Sequence, residues 1–377
     1  MRQTLVGHAS KFNGMKMLLY AIYASLDLHV GHTVLGWMDP EGRMLGRRRF
    51  VTSAENLQRE VAALGKAGVV LILEAGPMMR WAAAILRPLV DRLVVCDPRH
   101  NRLVCADPHK SDWKDVEALC RLLRMGEIKE VWVGEDPRRD LLRATVMEYL
   151  KWRNQQRTLK TLIKSRYHQL GIHRLVGKAV FGREGREQFL GQIPDPEHRI
   201  LLERLYRQFD GAWSMWLETG RQVRRLGRAF PEIAQFQRIP GIAAVGAHVF
   251  DGIVEDPDRF ERISRLWRFC RLGITSRTSD NKPLGYERID RAGHGELKNV
   301  SYTAWRTACK KTTGENEVRR FYQNSLSRTG SVRHARLNTQ RKIIEVMWTI
   351  WRKGLAYDPE MFFPTATPTT TPKGVAG

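Results

Sequence analysis

The sequence predicts an α/β N-terminal domain, a long helical connector and a mostly helical C-terminal domain. Between residues 18 and 97, short apolar runs alternate with amphipathic segments in the order β-β-β-α-β-α-β, which is typical of a mixed sheet flanked by helices. Residues 140–225 are charged, basic and mostly helical in pattern. A chain of 377 residues is long enough for two domains, and its 42% hydrophobic content is enough to form their cores.

The elements of the N-terminal domain follow from local patterns. The turn Asp39-Pro40-Glu41-Gly42 separates two strand-like runs and indicates a hairpin. Ser53 is a typical N-cap residue and predicts a helix directly after it. In chain order, the predicted strands are residues 18–27, 32–38, 44–51, 69–73 and 93–96, and the predicted helices are residues 54–64, 79–89 and 110–125.

The rest of the chain is predicted to be helical. Two long helices, at residues 141–170 and 197–226, fit either a solvated coiled-coil linker or an arm that grips nucleic acid and also dimerises. The last predicted helix covers residues 337–353. We place the N-terminal domain at residues 15–135, the connector at 136–229, the C-terminal domain at 230–358 and a disordered Pro/Thr-rich tail at 359–377.

The charge balance points to a polyanionic partner. Lys and Arg total 63 against 40 Asp and Glu, which gives a net charge of +23. Such an excess favours nucleic acid, because cations on the protein replace the counterions of the phosphates. The five cysteines form no CxxC pair and are expected to be reduced and mostly buried in a cytoplasmic protein. No apolar run approaches the roughly 20 residues of a membrane span, so no membrane partner is expected.

Four acidic residues stand at positions that a sheet can bring together. Asp27 lies at the end of the first predicted strand, and Glu74 follows the buried strand. Asp112 and Asp115 are three residues apart, which places both carboxylates on one helix face. A cluster of like charges is costly without a cation. Hard oxygen ligands favour Mg²⁺, and two such ions would clamp the attacking and leaving oxygens of a phosphodiester.

The segments that contain these acids, SLDLH, LEAG and HKSDWKDVEAL, resemble the N-terminal motifs of the IS-one-ten family of insertion-sequence transposases. The resemblance implies a RuvC-like, ribonuclease-H-type domain in which Asp27, Glu74, Asp112 and Asp115 are catalytic and bind metal. It also implies that Lys110 contacts nucleic acid and that a bridge RNA guides the enzyme. The sequence departs from the family pattern at Ser25, where glycine is common, and lacks one residue after Glu74.

The C-terminal domain contains two further candidate sites. Residues 237–250 are similar to a helix-hairpin-helix, in which Gly241 would aim backbone N–H groups at a phosphate, but they also fit an ordinary turn between core helices. Residues 289–293 match the basic turn of the family and include Arg291. The resemblance implies a serine that bonds covalently to DNA; Ser279 is the best positional match and Ser276 the alternative, with nearby cations at Arg277 and Lys282.

Three functions remain open from the sequence. The resemblance implies a transposase that cuts and rejoins DNA with Mg²⁺, binds DNA and a guide RNA, and acts as a homodimer or tetramer. A structure-specific DNA nuclease resembling a Holliday-junction resolvase would need the acids but not the serine. A catalytically dead, nucleic-acid-binding relative would have lost metal ligands, yet all four acids are present.

Overall fold

The computed structural model describes residues 11–12, 15–16, 20–65, 68–101, 111–175, 179–275, 278–279, 282–283 and 288–363. Lys110, Ser276 and Arg277, which the sequence singled out, lie outside these residues. The chain divides into two compact units, Met1–Glu135 and Asp136–Gly377. None of the helices in the described part is long and apolar enough to cross a membrane.

The first unit is built on a five-stranded mixed sheet. A short antiparallel pair, β1 (Lys11–Phe12) and β2 (Met15–Lys16), forms a separate ladder. The main strands, in chain order, are β3 (Ile22–Leu28), β4 (His32–Met38), β5 (Met44–Val51), β6 (Val69–Glu74) and β7 (Arg92–Cys96), and the helices are α1 (Ala54–Ala62), α2 (Met79–Leu86), α3 (Pro98–Asn101) and α4 (Asp112–Met125). Their spatial order is β5-β4-β3-β6-β7.

The predicted order of strands and helices agrees with this unit. Strands β3, β4 and β5 are antiparallel neighbours, whereas β6 and β7 run parallel to β3. The first strand begins at Ile22 rather than at residue 18, and the buried strand includes Glu74 as its last residue. The mixed α/β character is therefore present, with parallel strands where a helical crossover separates them in sequence.

Each face of the sheet packs against helices. On one face Leu26, Leu71 and Leu73 form a core with residues of α1 and α2. On the other face Tyr23, Val70, Ile72 and Val94 pack against Leu119 and Cys120 of α4. The Ser25 hydroxyl donates to the Val116 carbonyl at 2.6 Å, which fixes α4 against β3.

The second unit is mostly helical. Its helices are α5 (Pro137–Gln169), α6 (Arg183–Leu190), α7 (Pro196–Gly227), α8 (Pro231–Phe236), α9 (Ala244–Val254), α10 (Ile263–Phe269), α11 (Gly295–Ala308), α12 (Glu317–Thr329) and α13 (Val332–Lys353). Four two-residue strands are β8 (Ile274–Thr275), β9 (Thr278–Ser279), β10 (Lys282–Pro283) and β11 (Arg288–Ile289). Short 3₁₀ turns occur at Arg87–Leu89 in the first unit and at Ala179–Phe181, Pro257–Arg259 and Pro359–Phe362 in the second.

The two long helices α5 and α7 pack antiparallel. The Tyr167 and Tyr206 hydroxyls are 3.1 Å apart near one end of the pair. Towards the other end, the ring centroids of Tyr149 and Trp216 are 5.9 Å apart. Both helices begin with an aspartate cap followed by proline, which fits the orphan N–H groups of a first turn. The two long helices that the sequence pattern predicts are thus present, and the structure adds that they are antiparallel.

Buried ion pairs tie α5 to the helices that follow α7. Arg139 lies between Glu232 and Asp251, and its Nη1 is 2.9 Å from an oxygen of Asp251, which is fully buried. Arg143 pairs with Glu255 at 2.8 Å. These contacts join the first turns of α5 to the large core around α9 and α13.

Candidate active site

Two of the predicted acids lie at the carboxyl ends of adjacent parallel strands. Strands β3 and β6 pair in parallel with Leu26 opposite Leu73, so Asp27 and Glu74 are the next residues along each strand. Successive strand residues point to opposite faces, and Leu26 and Leu73 belong to the core that contacts α1 and α2. Asp27 and Glu74 therefore lie on the other face, which α4 covers. The Glu74 side chain is exposed.

The other two acids lie in the first turn of α4. Ser111 caps this helix, with its Oγ accepting from the Lys114 N–H at 3.4 Å. Carboxylates in a first turn are stabilised by the positive end of the helix dipole. Because α4 is fixed on β3 through Ser25 and Val116, its first turn comes beside the end of that strand.

Asp27, Asp112 and Asp115, which we call the acid cluster, lie close enough for their charges to interact. Burial raises the pKa of Asp27, and the charges of Asp112 and Asp115 raise it further, whereas His29 lowers it. The hydrogen bond from His32 lowers the pKa of Asp112. Three carboxylates from two distant parts of the sequence thus share one electrostatic environment.

Two histidines that the sequence did not single out complete this site. The Nε2 atom of His29 is 3.0 Å from an oxygen of Asp27, and the Nε2 atom of His32 is 3.1 Å from an oxygen of Asp112. Ligand atoms of His29, His32 and Asp112 all lie within 4.8 Å of one another. The available signal was the segment DLHVGH, in which the histidines come two and five residues after the first acid.

Ser279 lies in a set of nested backbone pairs. Ile274 and Thr275 of β8 pair with Ile289 and Arg288 of β11. Thr278 and Ser279 of β9 pair with Pro283 and Lys282 of β10. The two ladders are separate two-stranded sheets, and Ser279 pairs with Lys282 in the inner one.

Asp290 and Gly293 fix the conformation of the basic turn at residues 289–293. The Asp290 carboxylate accepts from the Arg268 Nε at 2.7 Å and from the Ala292 N–H at 2.8 Å. Gly293 has a φ of 100°, and a Cβ there would lie 2.4 Å from the Phe269 carbonyl oxygen. Arg291 is exposed, so its guanidinium is accessible to a partner.

The glycine of the helix-hairpin-helix-like segment is explained by packing. Gly241 has a φ of 86°, and a Cβ there would lie 2.1 Å from the carbonyl oxygen of Ala304 in α11. The flanking Ile239 and Ile242 are buried. These contacts favour a turn between core helices, and a phosphate contact at Gly241 stays a prediction.

A group of cations on and around α11 was also missed from the sequence. Burial lowers the pKa of Lys298, and the charges of Arg336 and Arg271 lower it further. Arg271 reaches the start of α11, where its Nη1 would be 3.1 Å from a Cβ on Gly295. Arg336 lies over Trp305, with its Cζ 5.8 Å from the ring centroid. None of these three cations forms an ion pair with a carboxylate in the described part of the chain.

Comparison with known proteins bears on this second unit. Residues 233–323 match the family model described as the transposase IS116/IS110/IS902 family. The matched segment includes Gly241, Ser279, Lys282 and Arg291, whereas the acids lie outside it.

A relative matches over more of the chain. A protein of Sinorhizobium fredii named "Putative transposase y4qE" is 25% identical over 272 residues, which cover 69% of this chain and 64% of the relative. The chain therefore spans slightly less than two thirds of the relative's length. Both comparisons thus find a likeness to transposases.

Proposed function

We propose that this chain is an insertion-sequence transposase that cuts and rejoins DNA by phosphoryl transfer. The proposal is supported by the acid cluster, whose charges interact, and by Glu74, which follows Leu73 on β6 as Asp27 follows Leu26 on the adjacent strand β3. The family match over residues 233–323 favours a transposase over a resolvase-like nuclease, because such a nuclease needs no second unit of this kind.

The acids fit a divalent metal such as Mg²⁺. Burial and the neighbouring charges of Asp112 and Asp115 raise the pKa of Asp27, so an added cation would favour its ionised form. Asp27, Glu74, Asp112 and Asp115 would hold the metal through hard oxygen ligands. Bound there, the metal would polarise the phosphate and stabilise charge on the attacking and leaving oxygens.

The residues of the second unit would bind and cut DNA. Arg271, Lys298 and Arg336 have no carboxylate partners in the described part of the chain and suit the phosphates of a DNA backbone. The Ser279 Oγ would attack a backbone phosphorus, so that a serine–phosphate bond forms as the bond to the 3′ oxygen breaks. The serine proton is transferred in the step and the 3′ oxygen leaves as a hydroxyl, with Arg277, Lys282 and Arg291 near the phosphate.

A guide RNA and a homodimeric or tetrameric assembly belong to the same proposal. They rest on the resemblance of the sequence motifs and on the net charge of +23, which suits binding to more than one polyanion. Electrophoretic mobility of the purified chain with RNA transcribed from the DNA beside its coding region would test the RNA partner.

Substitution of the acids tests the proposal directly. Asp27→Asn and Asp112→Asn should each abolish strand cleavage and leave DNA binding within about twofold, because they remove metal ligands without altering the basic surface. Glu117→Gln is the matched control, since this carboxylate also lies on α4 but pairs with Arg47 and Arg121. Cleavage at the wild-type rate in both acid variants would refute the proposed site.

A further inference from the structure

We propose that His29 and His32 are metal ligands, so that the site binds a first-row transition ion such as Mn²⁺ more tightly than Mg²⁺. The inference rests on the proposed function, because it names the metal class of the same site. It adds two nitrogen donors to a set of carboxylates.

The donor atoms are close to the spacing that one ion requires. Ligands bound at about 2.0–2.2 Å lie roughly 3–4.4 Å from one another around a six-coordinate ion. One donor atom each from His29, His32 and Asp112 already lie within 4.8 Å of one another. Asp27 is not one of these three residues, but one of its oxygens is 3.0 Å from the Nε2 atom of His29, so a second carboxylate lies next to the set. Side-chain rotations would have to close the set around an ion.

The backbone holds the two imidazoles side by side. The His29 N–H donates to the His32 carbonyl at 3.1 Å, which closes the turn between β3 and β4. The Thr52 hydroxyl, directly after β5, donates to the His29 carbonyl at 2.7 Å and fixes the same turn. The two imidazole ring centroids are 5.1 Å apart, and the side chains are 49% and 33% exposed, so an ion can reach them from solvent.

Ligand chemistry then decides the metal class. Mg²⁺ prefers oxygen ligands throughout and gives up its waters reluctantly. Imidazole nitrogen favours first-row transition ions, whose affinity for a given nitrogen and oxygen site rises from Mn²⁺ towards Cu²⁺. A site with two imidazoles and at least two carboxylates therefore discriminates against Mg²⁺, whereas one built from the acids alone does not.

The test is a Mn²⁺ titration of the full chain followed by electron paramagnetic resonance, with Mg²⁺ as competitor. The wild type should bind Mn²⁺ more tightly than Mg²⁺ and show nitrogen hyperfine coupling. The double variant His29→Ala/His32→Ala should lose that coupling and weaken Mn²⁺ binding by about tenfold or more, with Mg²⁺ binding less affected. His198→Ala is the matched control, because His198 also pairs with an aspartate, at 2.6 Å from Asp195, and is 45% exposed.

The outcomes separate this inference from the proposed function. One outcome would overturn the histidine ligands and keep the acid site. In it, the histidine double variant binds Mn²⁺ as tightly as the wild type, the wild type shows no nitrogen coupling, and Asp27→Asn/Asp112→Asn loses binding. Tighter Mn²⁺ binding in the histidine variant would also overturn them, because the imidazoles would then be competing with the ion. Binding that none of the variants alters would overturn both. Circular dichroism and thermal unfolding of each variant would verify that it is folded.

Discussion

The acid cluster of the first unit and the group of cations around α11 in the second unit differ in the sign of their charge and in how far neighbouring side chains offset it. In the acid cluster, Asp27 and Asp112 each have a histidine nitrogen within 3.1 Å. In the second unit, Arg271 and Arg336 repel Lys298, and none of the three forms an ion pair with a carboxylate in the described part of the chain. The histidines offset the charge of the acid cluster only in part, so the cluster still suits a metal cation, whereas the cations around α11 suit an anion.

The two regions also differ in the elements that support them. The acids stand at the end of a sheet strand and in the first turn of a 14-residue helix that is bonded to that strand. Ser279 stands in a two-residue strand that pairs, among the described residues, with another two-residue strand. Metal ligands need positions that are fixed before the ion binds, and regular elements supply them. Ser279, as the proposed nucleophile, would instead be positioned by the DNA that it contacts.

The largest expected effect is the loss of the covalent bond to DNA. Ser279→Ala should abolish the protein–DNA adduct, because the hydroxyl that attacks phosphorus is gone. Ser276→Ala should leave it. The adduct would be measured on a denaturing gel with end-labelled element DNA.

Two patterns would contradict this prediction. Adducts that survive Ser279→Ala and disappear in Ser276→Ala would assign the nucleophile to Ser276. Adducts at wild-type yield in both variants would exclude a serine mechanism at either position. The acid cluster would then be the one remaining candidate of the two regions.

The next effect concerns charge that is balanced and buried in the second unit. Arg139→Ala should destabilise the protein by about 3–5 kcal/mol, because it leaves Asp251 and Glu232 buried without their partner. It also removes contact with Phe230 and Trp351, whose ring centroids are 4.3 Å and 4.9 Å from the guanidinium carbon. Urea unfolding followed by tryptophan fluorescence would measure the change.

Arg138→Ala is the control for this measurement. Arg138 neighbours Arg139 in sequence but is 74% exposed and pairs with Asp136 on the surface. Its loss should change the free energy of unfolding by less than about 1 kcal/mol. Equal changes in the free energy of unfolding for the two variants would show that burial of the Arg139 ion pairs does not determine how much they stabilise the protein.

Removal of the unbalanced cations should weaken DNA binding without weakening the fold. Arg271→Gln, Lys298→Gln and Arg336→Gln should each lower the slope of log K against log salt by about 0.9 for every phosphate that the variant no longer neutralises. For Lys298→Gln the free energy of unfolding should stay the same or rise, because Lys298 lies in the field of two like charges. Fluorescence anisotropy of labelled duplex DNA at several salt concentrations would measure the slope.

The triple variant of Arg271, Lys298 and Arg336 needs a control with the same change in net charge. Comparing the two distinguishes the effect of the cations around α11 from the effect of overall charge. The control neutralises three exposed arginines, each of which already faces an acid: Arg43, Arg138 and Arg183. This control should keep most of the wild-type slope. A slope that falls equally in both triple variants would mean that net charge, rather than the cations around α11, determines DNA affinity.

The sequence predicted what depends on local pattern. Strands β4 and β5 have the predicted bounds, because alternation and the intervening turn lie within 20 residues of chain. The acids were likewise placed at strand ends and a helix start. The role of His32 could not be predicted, because it depends on Asp112, which is 80 residues away in sequence. The sequence left two roles open for Gly241, because the choice between them depends on its packing against Ala304 of α11.

The smallest expected effect tests whether the acid cluster lowers stability until metal binds. Burial raises the pKa of Asp27, and the charges of Asp112 and Asp115 raise it further. A carboxyl group with a raised pKa in the folded state contributes most stability below its unfolded pKa, and that contribution is lost as pH rises through the folded value. At pH 7 with EDTA, Asp27→Asn should therefore raise Tm slightly above that of the wild type.

Divalent metal should reverse this order, and the reversal is the sharpest part of the test. Mn²⁺ binds the folded wild type and should raise its Tm with ion concentration, whereas Asp27→Asn should respond less. Glu117→Gln should show no rise in EDTA, because it only removes ion pairs with Arg47 and Arg121. A lower Tm for Asp27→Asn in EDTA would mean that its bond to His29 outweighs the repulsion, and the acid cluster would then be balanced without any ion.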